Sequence, residues 1–161
     1  MFLLITIFII GFIFEYINGF HDAANSIATI VTTKALSLKM AVIWAAVFNF
    51  CAYFIFKNMT VAKTMTHLIN GNSFNLEVIL VGLIAAIIWN LITWYFGIPN
   101  SSSHCLIGGL VGSAVTMNGF SVLNMSNISL ILIFIVLAPL IGMVISILIT
   151  FLLLIKKPYV K

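Results

Sequence analysis

The feature that most restricts what this chain can become is the length of its uncharged apolar stretches. From Ile128 to Ile155 no charged residue occurs, and Val78–Ile98 and Met40–Phe56 are likewise uncharged. About 20 apolar residues suffice to cross the roughly 30 Å hydrocarbon core of a bilayer. With 63% hydrophobic and only 6% charged residues among 161, and a mean hydropathy of +1.29, polar groups are too few to cover a water-soluble surface. Lipid must take that place. Backbone groups in lipid need partners within their own segment, and the runs lack the strict alternation of barrel strands. The expectation is an all-α integral membrane protein, with residues 1–161 forming a single transmembrane domain.

Charge excludes one class of partner. The net charge of +4 comes from seven lysines against three acids, with no arginine. Lys34, Lys39, Lys57, Lys63, Lys156, Lys157 and Lys161 stand at the ends of apolar runs, as interfacial anchors do, and no basic face for nucleic acid is formed. The lysine-rich tail places the C-terminus in the cytoplasm and the uncharged start outside, which requires an odd number of crossings. Such a unit, repeated, gives the inverted repeats of many secondary transporters. Cys51 and Cys105 lack metal or redox spacing and read as small core residues. The first run, Phe2–Phe14, lacks the flanks of a cleaved signal and is expected to remain.

Two polar interruptions carry the chemistry, because irregular polar backbone at membrane depth is tolerated only inside protein or beside water. The first is Asn18–Asn25, between Phe2–Phe14 and Ala23–Thr33. Gly19 permits a break, and Asp22, Asn25 and Ser26 suit the start of a second half-helix, so a broken first helix is expected. Its free N–H groups would attract an anion. Asp22 would repel that anion unless a cation lay between, so Asp22 and Asn25, three residues apart, are expected to hold a coupling ion. Glu15, an acid about 20 Å along the helix, is a secondary ion-coupling candidate. His21 is either a proton carrier, since imidazole titrates near neutral pH, or a neutral hydrogen-bonding group. His67 reads as an exposed loop residue.

The second interruption, Pro99–His104, lies in the stretch Gly97–His104, which precedes a glycine-rich helix and resembles the tip of a re-entrant helical hairpin. Pro99 ends the first arm, and Ser101, Ser102 and Ser103 supply caps and hydroxyl donors for an oxyanion. Gly108, Gly109 and Gly112 would permit close helix packing. Trp89, Trp94 and Tyr95 suggest an interfacial belt. Pro139 lies inside the last run and is expected to tilt or kink it. His21–Asp22 lacks the further ligands of a metallohydrolase, and no acid is placed to orient a serine–histidine pair, so an enzyme is not expected and no catalytic residue or metal site is assigned.

Three stretches resemble one family. YINGFHDAANSIATIVTTKAL (Tyr16–Leu36), AVIWAAVFNF (Ala41–Phe50) and AAIIWNLITWYFGIPNSSSHCLIGG (Ala85–Gly109) are similar, in order, to signatures of the inorganic phosphate transporter (PiT) family, above all its bacterial low-affinity members. The resemblance implies a multi-pass protein of the bacterial inner membrane. It implies low-affinity symport of phosphate, as the ion or as a metal–phosphate complex with a divalent metal, coupled to H+ in the bacterial members and to Na+ in others. No resident cofactor is implied. Asp22 and Asn25 would hold ion and substrate, with Ser101, Ser102 and Ser103 around phosphate. Family members carry a second, inverted copy of both motifs, whereas these 161 residues hold the first alone. The missing ligands would come from a separately encoded half or an antiparallel second copy of the chain. The alternatives are a non-transporting remnant, a permease for another oxyanion such as sulfate, and a channel.

Overall fold

The computed structural model describes residues 1–55, 66–69 and 73–156, and regular structure there is helical. In chain order the helices are α1 (Phe2–Thr32), α2 (Leu38–Ile55), α3 (Leu76–Tyr95), α4 (Ser102–Asn118) and α5 (Met125–Lys156), with a 3₁₀ turn at Phe120–Val122. The all-helical expectation is thus met. Lys57, Lys63, Lys157 and Lys161 lie outside the described residues, as does Phe56 at the end of the second apolar run.

Two compact units are present, Met1–Leu123 and Asn124–Lys161. The second consists of α5, one helix of 32 residues, about 48 Å at 1.5 Å per residue, with Pro139 inside it. Among the described residues four helices are long and apolar enough to cross a membrane: α1, α2, α3, and α5 over Met125–Ile155. Helix α4, with 17 residues and two glycines in its first half, is outside that set.

The core of the first unit joins α1 to the α3–α4 hairpin. Phe14 of α1 meets Leu83 and Ala86 of α3, with Ile7, Ile10, Ile79, Ile87, Cys105 and Leu106 around them. Apolar side chains gain little from leaving lipid, so the hairpin's contact depends on close approach of small residues. A Cβ on Gly82 would lie 2.9 Å from Leu110 Cδ2, and one on Gly109 would run into the Gly82 carbonyl oxygen. Ser113 adds a polar bond at this seam, donating to the Val78 carbonyl (2.9 Å). The expected role of glycine therefore holds at Gly109 and fails at Gly108 and Gly112, where a Cβ would meet open space.

Chain ends explain the turns. Asn75 caps α3 by accepting from the Val78 N–H (2.9 Å). At the other end, Ile98 N–H bonds to Thr93 O (2.8 Å) and Gly97 N–H to Trp94 O (3.1 Å), with Gly97 at φ +65°. This is a Schellman motif, which needs a left-handed residue just past the helix. It ends α3 before Pro99 is reached, so Gly97 does the work expected of the proline. Helix α1 closes the same way around Lys34, whose φ of +58° is costly for a residue with a Cβ.

One expectation is overturned. Helix α1 is a single helix of 31 residues and runs unbroken through Asn18–Asn25. Gly19 weakens it by roughly 1 kcal/mol relative to alanine, too little to interrupt a long apolar helix that holds no proline. Ser26, expected as a cap, instead donates back to the Asp22 (3.0 Å) and Ala23 (3.1 Å) carbonyls, as serine does within a continuous helix. No half-helix N-terminus opens beside Asp22.

Candidate functional site

The two polar segments meet. Ser102 stands in the first turn of α4, capped by Ser101, whose side chain accepts from the His104 N–H. The Ser102 hydroxyl is 2.8 Å from Asp22 Oδ2 and within hydrogen-bond reach of Asn18 Oδ1, both on α1. Ser102 is 2% exposed, whereas Asp22 and Asn18 are half-buried. Residues 80 and 84 positions apart in sequence thus share one polar cluster at the crossing of α1 and the hairpin tip.

A hydroxyl has one proton to give, and here it faces two acceptors. Turning the Asn18 amide by half a rotation brings its nitrogen toward Ser102, which then donates to Asp22. In either orientation Ser102, Asp22 and Asn18 form one tight polar set. On its other side Asn18 Nδ2 lies 3.4 Å from Glu15 Oε2, so the exposed Glu15 reaches the cluster only through Asn18.

His21 and Asn25 face a neighbouring pocket of about 320 Å³, which they line with Ala24, Thr93, Trp94 and the loop Gly97–Pro99. His21 is 6% exposed and its Nδ1 has no partner, while Asn25 is exposed. Phe20 closes on Trp94 edge to face, with ring centroids 5.5 Å apart, which ties the same stretch of α1 to the end of α3. The expected site residues therefore divide. Asp22 and Ser102 touch; His21 and Asn25 share the adjoining pocket; Ser101 serves as a cap; Ser103 is exposed. Cys51 is exposed and does not fill a core, and Cys105 is partly buried.

Sequence reasoning missed a second polar group behind the hairpin tip. Asn90, fully buried in α3, accepts from Asn100 Nδ2 (2.8 Å), and Asn100 also meets Thr93 Oγ1 (3.3 Å) and Cys105 Sγ (2.8 Å). The available signal was Asn90 itself, an amide in the middle of an apolar helix, where a polar residue needs a partner. Among the described residues no group of three or more His, Cys, Asp or Glu is placed to hold a metal ion.

Comparison with known proteins gives the family of the chain. The model of the phosphate transporter family matches residues 18–158. A probable low-affinity inorganic phosphate transporter of Rhizobium meliloti is 51% identical over 120 residues, 74% of this chain and 36% of that protein. A protein of the same description from Bacillus subtilis is 48% identical over 148 residues, 89% of this chain and 44% of the relative. The low-affinity inorganic phosphate transporter PitA of Escherichia coli K12 is 43% identical and shares 81% of this chain and 29% of its own length. A solved structure of the sodium-dependent phosphate transporter superposes with a TM-score of 0.89 at 28% identity, covering 100% of this chain and 41% of its own. The chain thus spans less than half the length of these relatives. With the family model matching most of its residues, this membrane protein belongs to the phosphate transporter family.

Proposed function

We propose that the chain is one repeat of a low-affinity phosphate symporter of the bacterial inner membrane, and that Asp22, Asn25 and the start of α4 hold a cation and phosphate together. The observation that carries this reading is the 2.8 Å contact between Ser102 and Asp22, which joins the two polar interruptions of the chain at one place. The first N–H groups of α4 have no intrahelical acceptors and carry partial positive charge, which suits an oxyanion where arginine is absent. Ser101, Ser102 and Ser103 bring hydroxyls to that end. Asp22 supplies the negative charge that makes simultaneous cation binding necessary, and so couples the two solutes.

His21 supports coupling to protons, since its buried Nδ1 has no partner and the residue lines the same pocket as Asn25. A second reading, coupling to Na+, is favoured by the oxygens of Asn18, Asp22 and Ser102, which are hard ligands of the kind sodium takes. Glu15 acts through Asn18 in either case. Phosphate crosses as the ion or as a complex with a divalent metal, and the remaining ligands come from a second repeat, encoded separately or supplied by another copy of the chain. Transport, not catalysis, is the activity.

Uptake of labelled phosphate tests this in vesicles that hold the chain with a second repeat of its relatives' kind. Asp22→Asn lowers uptake about a hundred-fold to a measurable residual rate, and retention of parental uptake by that variant contradicts the assignment. Imposing a proton or a sodium gradient alone separates the two couplings, and His21→Gln removes the response to the proton gradient if His21 carries it. Competition by unlabelled sulfate at equal concentration distinguishes another oxyanion as substrate.

A further inference from the structure

We propose that Asn90 and Asn100 form a clasp that positions the start of α4, so that Asn100 acts on the site through Ser102 and is not itself a ligand. Asn100 belongs to the short link between α3 and α4. Its amide reaches backward to α3 at two points, Asn90 Oδ1 (2.8 Å) and Thr93 Oγ1 (3.3 Å), and forward to the first turn of α4 at Cys105 Sγ (2.8 Å). Cys105 Sγ is also 3.1 Å from Asn100 Oδ1, so thiol and amide can exchange donor and acceptor. Thr93 spends its own proton on the Trp89 and Asn90 carbonyls, which leaves a lone pair free for Asn100. One side chain therefore fixes the link to both arms of the hairpin.

The choice of residue at position 90 supports the same conclusion. Asn90 is fully buried, and its Nδ2 has no partner. An unpaired buried amide group carries a desolvation cost, which a leucine of similar volume would avoid. Its Oδ1 has one hydrogen-bond partner, Asn100, so holding that residue is what the cost obtains. Ser102 follows Asn100 by two residues and lies between it and Cys105 in sequence. With Asn100 and Cys105 tied to each other and to α3, the Ser102 hydroxyl is directed toward Asp22 across the crossing with α1. This inference rests on the site reading given above, since positioning matters to transport only if Ser102 does.

The distinguishing consequence is that Asn90, which no substrate can touch, should behave like Asn100. In a Cys51→Ala background, phosphate uptake kinetics and the alkylation rate of Cys105 by a maleimide are measured for Asn90→Ala, Asn100→Ala and the double variant. Each single change is expected to raise KM for phosphate about ten-fold with kcat within two-fold, and the double is no worse than Asn100→Ala alone. Cys105 reacts several-fold faster in all three. If Asn90→Ala matches the parent in KM and in alkylation, or if only Asn100→Ala raises KM, the clasp is overturned. Should an alanine variant fail to insert, Asn90→Leu, which fills the buried position with apolar volume, is read by the same two measurements. Parental uptake by Ser102→Ala would instead remove the site reading, and the Cys105 rate would still decide whether the clasp exists.

Discussion

At the scale of single residues, the three consecutive serines do three different things. Ser101 accepts a hydrogen bond from the His104 N–H, Ser102 reaches across to Asp22, and Ser103 is exposed. Ser101→Ala should cost about 1 kcal/mol of hairpin stability, read by denaturant unfolding in detergent, whereas Ser101→Asp, which caps equally well, should cost little. Glu15→Gln keeps an acceptor facing Asn18, so its effect on uptake should stay near two-fold, the scale of a substitution outside the main contacts. A loss as large as that from Asp22→Asn would instead make Glu15 a direct ion ligand. Sequence alone identified Asp22 and the serine run, because a carboxylate and a polar tripeptide inside apolar runs demand partners. It could not divide the labour among Ser101, Ser102 and Ser103, which is set by the pitch of α4: one residue further along the helix turns a side chain by about 100°.

At the scale of elements, the α3–α4 hairpin is closely packed along its seam. Its seam at Gly82 and Gly109 has no room for a side chain, so Gly109→Ala should destabilise the hairpin by about 1–3 kcal/mol, while Gly112→Ala, with open space before it, should not. Thermal unfolding of the two variants side by side checks the contrast. Lys34→Gly should stabilise α1's terminus by roughly 0.5–1 kcal/mol, because the left-handed φ of +58° no longer opposes a Cβ. Helix spans were legible from hydropathy to within a few residues: Val78–Ile98 became Leu76–Tyr95, and Ile128–Ile155 became Met125–Lys156. The error lay in α1, where a polar stretch was read as a break. Gly19, Asp22, Asn25 and Ser26 are tolerated in a continuous helix because Ser26 bonds to its own helix and Asp22 bonds to the hairpin, so neither needs the backbone to open.

At the scale of the molecule, most apolar side chains of the described helices are exposed. Phe12 is 74% exposed and Tyr53 73%. Lipid and a second repeat would cover such a surface, which accords with a chain spanning less than half the length of its relatives. Membership of the phosphate transporter family was legible from two long motifs, and so was their meeting, since the resemblance puts Asp22, Asn25 and the serines around one phosphate; that Ser102 is the serine that touches Asp22 was not legible. The central claim is that Ser102 and Asp22 act as one unit. Initial rates of labelled phosphate uptake for Ser102→Ala, Asp22→Asn and the double variant test it most directly. The account predicts that Ser102→Ala lowers uptake roughly ten- to a hundred-fold, the worth of a hydrogen bond to a charged group, and that the double variant is no slower than Asp22→Asn alone. Parental uptake by Ser102→Ala, or losses that multiply in the double variant, would contradict it.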